Sequence, residues 1–400
     1  MDLTKDRPFC INLVQAIPNS TALRKAVDGQ NPIRKKDVYE VEVALDGNPH
    51  NGHVFARMSP VASPAAGSPM PLTHAVKSLF DKPHRGASIS TIIEALSAIQ
   101  NVVEAQLRTL TDQHCPETML DVHYALFLLQ QVHFAEANDR RAFFQFDPVV
   151  VWLRERLQDW WLGREEAQLS PPILSQNNFI GDLKKICLEH PGAQHPLFDF
   201  LEQEATSAQL AAFFESDAQL NTRFFDLLAF CLVGSHGTAK AELAQNLWDE
   251  AGRGDPQSAH VAMFEDILAT HAVSAQWRYG LSLAWEGLAG HNLFVALCVG
   301  RKHQYKALGL MAATELIDPA SYTKLLAGCR RLGMSVPAYY SEHVEIDIVH
   351  GDGWLDNVIA PIVRRAPHVG TEITLGAMLR MSSCQSYYDQ LLHTLRAVTA

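Results

Sequence analysis

The sequence predicts an all-α protein, and three observations carry that expectation. From about residue 174 to the end, one amphipathic helical segment follows another. No β-hairpin signal interrupts the run. Ahead of it, residues 88–134 place apolar side chains at helical spacing behind a Ser-rich cap region.

Taken in order, residues 1–85 read as an irregular arm. Pro8, Pro18, Pro32, Pro49 and the Pro/Ala/Ser stretch at 59–71 interrupt any long periodicity. Residues 38–45 alternate and suit one short strand. A helical unit follows over 86–170, placed to pack on the rest of the chain or to form a dimer arm. Its segments are 88–110, the very apolar 120–134, and 146–161, where Asp147 and Pro148 suit the N-cap and first helical position. Gly163 and the pair Pro171-Pro172 close it. Residues 171–400 form the third unit. Its helical segments are 177–192, 195–205, 207–234, 238–255, 258–271, 277–300, 303–318, 321–333, the 339–357 stretch and a last helix around 387–398.

Composition narrows the function classes. Lys plus Arg is 33 and Asp plus Glu 44, a net charge of −11, which argues against a nucleic-acid backbone as partner. The 7 cysteines are scattered and form no CxxC, which suits a reducing cytoplasm rather than a disulfide framework or zinc ribbon. No uncharged apolar run is long enough to span a bilayer, and the N-terminus lacks a signal-peptide pattern. A cytoplasmic protein with no membrane partner is the expectation.

The informative stretch is 339–357. His343, Asp347 and His350 are spaced i, i+4, i+7, which puts them on one face if the segment is helical. Val344, Ile346 and Ile348 alternate with Glu345 and Asp347, which is strand periodicity. The helical surroundings decide for the helix, because a lone strand would leave its backbone groups unpaired. Other apolar helices carry matching residues. Glu315 stands among small and apolar neighbours, and Glu215 follows two Phe. Glu250 ends a helix just before Gly252, Gly254 and Pro256, and His260 opens the next. Four carboxylates balance two divalent ions, and three neutral imidazoles complete the donor set; zinc is usually satisfied with three or four ligands. His123 and His133 read as core packing residues. Trp248 and Trp354 read as packing beside the ligands. His303, Tyr305 and Lys306, ahead of the Glu315 segment, are candidate substrate contacts or plain surface residues.

In that order, these residues resemble the heme-oxygenase-like diiron oxidases and oxygenases, also called iron-containing redox enzymes. Residues 246–264 resemble the family's second and third ligand region, 306–315 its lone-Glu helix, and 339–354 its last ligand helix. The segment 195–201 resembles its entry segment, so the likeness spans about 174–400. The resemblance implies a seven-helix heme-oxygenase-like bundle, preceded here by the smaller helical region, holding two Fe(II) ions without heme. It implies metal ligands at Glu250, His260, Glu315, His343, Asp347 and His350. Glu215 is the candidate for the first carboxylate, with Asp226 and Glu242 as alternatives. It further implies O₂ as co-substrate and a small amine- or carboxylate-bearing substrate, with an external electron donor; a homodimer is the expectation from the apolar helices at 88–134, which need a partner surface. The implied reaction is N-oxygenation, oxidative C–C or C–N cleavage, or desaturation, in specialised biosynthesis. A metal-free thiaminase-like or quinone-forming enzyme on the same scaffold, or a non-enzymatic helical binding protein, are the competing expectations.

Overall fold

A computed structural model describes residues 71–397, apart from 113–114, 272, 274 and 281. The arm over 1–70 and the strand at 38–45 lie outside the described residues. Among the described residues there is no strand. The helices are α1 (Pro71–Leu79), α2 (Ile89–Asp112), α3 (Pro116–Gln130), α4 (Pro148–Ala167), α5 (Phe179–Leu188), α6 (Pro196–Gln203), α7 (Ser207–Asn221), α8 (Phe224–Leu232) and α9 (Gly237–Glu250). They continue as α10 (His260–Thr270), α11 (Trp285–Val299), α12 (Gln304–Arg331), α13 (Ala338–Gly353), α14 (Ala360–Arg365) and α15 (Gly370–Ala397), with a π-helical segment Trp354–Ile359 between α13 and α14.

Three expectations about elements are corrected. Pro71–Leu79 is a helix rather than part of an irregular arm, because Asp121 of α3 accepts hydrogen bonds from the Leu72 and Thr73 amides at its start (3.0 and 2.8 Å). Residues 207–234 are two helices, divided at Thr222 and Arg223. The segments expected at 303–318 and 321–333 are one helix, for α12 (Gln304–Arg331) runs through Pro319. A mid-helix proline removes one amide donor four residues on from its acceptor, here the Glu315 carbonyl. Packing on both sides of α12 holds the helix together across that gap.

α12 is the axis of the molecule. It lies against α15, α13, α6 and α11. Its crossing with α15 is close enough to require glycine. A Cβ at Gly309 would sit 1.9 Å from the Ile373 carbonyl oxygen, and one at Gly376 would sit 1.9 Å from that of Lys306. The helices ahead of the bundle belong to the same compact unit, which begins at Pro69. α3 packs on α11, and the Asn292 amide donates to the His123 carbonyl (2.8 Å). α4 starts as its sequence predicts: Asp147 accepts from the amides of Val149 and Val150, with Pro148 at the first turn. Among the described residues, no helix is long and apolar enough to cross a membrane.

Candidate metal centre

α13 presents His343, Asp347 and His350 along one buried face, at 6%, 2% and 3% exposure. The charged Glu345 falls off that face, and the apolar Ile348 and Val349 are exposed. Helical spacing therefore wins over the strand-like alternation, and the polar residues point inward. Glu250 is the last residue of α9 and His260 the first of α10. The chain turns between them through Gly252 at φ +71°, where a Cβ would lie 2.4 Å from the Ala259 amide nitrogen. That fold-back brings His260 Nδ1 to 2.9 Å from a Glu250 carboxylate oxygen. Glu315 comes from the middle of α12 and is 3% exposed.

These six side chains form two triads. One ligand atom from each of Glu250, His260 and His343 lies within 4.8 Å of the other two, and the same holds for Glu315, Asp347 and His350. The triads are electrostatically one site: Glu250 repels both Glu315 and Asp347. Burial and the nearby carboxylates of Glu315, Asp318 and Glu250 hold the Asp347 carboxyl well above the usual range. Burial also raises Glu250. Although burial pulls the His350 imidazole down, the Glu315 carboxylate beside it raises it to about 9. Burial and the adjacent His260 push His343 well below its ordinary value. Gathered carboxylates of this kind take up protons unless cations neutralise them.

The donor set fits divalent iron. Both ring nitrogens of His260, Nδ1 of His350 and Oδ1 of Asp347 are buried without a hydrogen-bond partner. His260 Nδ1 lies 2.9 Å from the Glu250 carboxylate, and the two groups attract each other as a buried charge pair. Their outer contacts are fixed. His343 Nδ1 donates to the Tyr339 carbonyl (2.7 Å), which leaves Nε2 as its free donor atom. His350 Nε2 lies 3.3 Å from Asp249, which is itself held by Arg253 Nε at 2.6 Å. Asn246 donates to Glu315 (3.3 Å). Three imidazoles and three carboxylates suit iron or manganese better than a three- or four-ligand zinc site.

Other expected residues lie elsewhere. Glu215 is in neither triad; its carboxylate accepts from the Ser282 hydroxyl (2.6 Å). It projects to another side of α7 than Asp217, which is two residues on and lines the cavity beside the triads. The two alternatives fare no better: Asp226 pairs with Arg223 (3.6 Å), and Glu242 accepts from Asn357 (2.8 Å). His303, Tyr305 and Lys306 do not line this cavity. Lys306 is instead ion-paired with Glu166 (2.6 Å) and Glu372 (3.4 Å). Trp354 is buried, whereas Trp248 is 52% exposed and packs at Gly254. His123 is a core residue, edge-on to Trp161 and stacked on Trp285.

Sequence reading missed Asp217, Asp249, Asp318 and Arg380. Asp217, Asp318 and Arg380 line the cavity with Tyr322 and Tyr339. Burial raises Asp217 to about 6 and Asp318 to about 7, with Arg380 opposing both shifts. A charged residue in the otherwise apolar run 375–381 was the signal for Arg380. Asp318 was masked by Pro319, which reads as a helix end.

Residues 211–383 match the family model described as iron-containing redox enzyme, a span that contains all six triad residues. No curated protein matches the chain. Two crystal structures of a CADD-like protein of unknown function from Nostoc punctiforme are similar to it. One has 16% identity over 55% of this chain and 97% of that one, with a TM-score of 0.43. The other has 14% identity over 56% and 97%, with a TM-score of 0.45. The likeness to iron-containing redox enzymes covers residues 211–383, somewhat under half of the chain.

Proposed function

We propose that this protein is a dioxygen-using non-heme diiron oxidase or oxygenase acting on a small carboxylate- or amine-bearing metabolite. The observation that carries the reading is the pair of adjoining buried triads, Glu250/His260/His343 and Glu315/Asp347/His350. Their six donor side chains would hold two Fe(II) ions, with three carboxylates offsetting most of the charge. Iron at that position supplies dioxygen activation and the oxidising power. The rest falls to the chain. Tyr339 and Asp249 orient His343 and His350. Tyr322, Tyr339 and Tyr388, all largely buried, wall the cavity and limit water access. Arg380 places a positive charge beside the triads and gives a carboxylate something to bind.

Oxygen uptake tests the reading. Protein loaded anaerobically with Fe(II) and then exposed to air should consume O₂ faster than the same iron free in buffer. His343→Ala and Glu315→Ala should each reduce that excess at least about tenfold. Uptake equal to free iron, or unchanged in both variants, would contradict it.

A further inference from the structure

A cleft of about 260 Å³ lies between α4 on one side and α11 and α15 on the other. It shares no lining residue with the cavity at the triads, which is only about 30 Å³. Part of its wall lies outside the span that resembles iron-containing redox enzymes: Met119 of α3 and Trp161, Arg164 and Glu165 of α4 all precede residues 211–383. On α15, Leu379, Ser382, Ser383 and Ser386 recur at helical spacing, so one face of that helix turns into the cleft. The floor is apolar, with Met119, Leu293 and Leu379 all buried. Two indoles wall it, the buried Trp161 and the partly buried Trp285. The remaining lining is polar and includes the three serines, Glu165 and Glu286. A concave, largely apolar space with a few polar groups is how small-molecule sites are built.

Charge decides what such a cleft takes. Two carboxylates line it against one guanidinium. That guanidinium is held elsewhere: Arg164 Nη1 donates to the Leu110 carbonyl (2.7 Å), and the group lies over the Trp160 ring (5.8 Å). Burial holds the Glu165 carboxyl above its ordinary range, and Arg164 and the Trp161 side chain offset that only in part. A cation beside Glu165 would favour its charged form. Indole faces attract cations as well. The serine hydroxyls accept hydrogen bonds from N–H groups, which a quaternary ammonium lacks. We propose that the cleft binds an organic ammonium ion that carries N–H groups on an apolar body. Glu165 and Glu286 take the charge, and the α15 serines accept from the N–H groups. The apolar body lies between Trp161 and Trp285, on the floor made by Leu293 and Leu379. This site is separate from the metal centre, and its occupancy does not rest on the diiron reading.

The test uses one skeleton in three charge states: 3-phenylpropylamine, 3-phenylpropanol and 3-phenylpropionate, which near neutral pH are a cation, a neutral molecule and an anion. Binding to the full chain is followed by titration calorimetry, both metal-free and loaded anaerobically with Fe(II). The amine should bind at least about fivefold more tightly than the alcohol, and the anion more weakly than either. Glu165→Gln and Glu286→Gln should each lower the amine's affinity several-fold while leaving the alcohol's unchanged. Ser386→Trp, at an exposed position on the cleft, should block amine and alcohol together without disturbing the core. Binding of none of the probes, equal affinity for amine and alcohol, or a preference that survives both glutamine variants would overturn the proposal. So would amine binding that Ser386→Trp leaves intact. Amine binding that disappears on Fe(II) loading would place the amine on the triad carboxylates and overturn it too.

Discussion

Glu215 and Glu315 show what decides whether a carboxylate in an apolar helix belongs to a metal centre. Both follow small or apolar neighbours in sequence. Glu315 is 3% exposed and shares a triad with Asp347 and His350, whereas Glu215 is only partly buried and bonded to Ser282. The difference lies in the phase of each residue around its helix, which a local run of apolar residues does not reveal. Glu215→Gln should therefore keep the iron content of the wild type, while Glu315→Gln should lower it by at least half; metal analysis after anaerobic loading and desalting distinguishes them. Equal losses would return Glu215 to the donor set.

At the scale of elements, the site depends on α12 being held between α13 and α15. The α12–α15 crossing has no room for a side chain at Gly309 or Gly376. Gly376→Ala would drive a methyl group into the Lys306 carbonyl, and backbone on both sides resists the shift. A cost of about 3 kcal/mol follows from the overpacking of a rigid contact. The thermal midpoint should fall by roughly 3–5 °C. Gly333→Ala adds a left-handed strain of its own, but a Cβ there meets open space, so it should cost about 1 kcal/mol. Differential scanning calorimetry of the two variants checks the ranking.

Across the whole molecule, the segment ahead of the bundle is structurally part of it. His123 of α3 sits at the seam, against Trp161 of α4 and Trp285 of α11. Burial lowers its pKa from 6.5 to about 3. Between those values the unfolded chain takes up the proton more readily than the folded one. The stability this neutral histidine confers is thus full above pH 6.5 and is lost as pH falls through 3. His123→Phe should flatten the decline of the thermal midpoint between pH 6.5 and 4, measured against wild type. An unchanged slope would mean the seam opens without protonating it.

The same scale shows what the sequence made legible. Helical class and the convergence of Glu250, His260, Glu315, His343, Asp347 and His350 were readable, because spacing on one helix and a glycine break between two are local properties. The continuity of α12 through Pro319 was not, since it is tertiary packing that overrides the proline. Asp217 and Arg380 were missed for a similar reason: their partners come from helices far apart in sequence, such as the Thr314 hydroxyl for Arg380.

The central claim is that the two triads hold two metal ions. Crystals of the full chain grown with Mn(II), with anomalous scattering recorded at a manganese-sensitive wavelength, test it directly. The account predicts two peaks, one bounded by Glu250, His260 and His343 and the other by Glu315, Asp347 and His350. A single peak, peaks elsewhere, or none at saturating Mn(II) would contradict it.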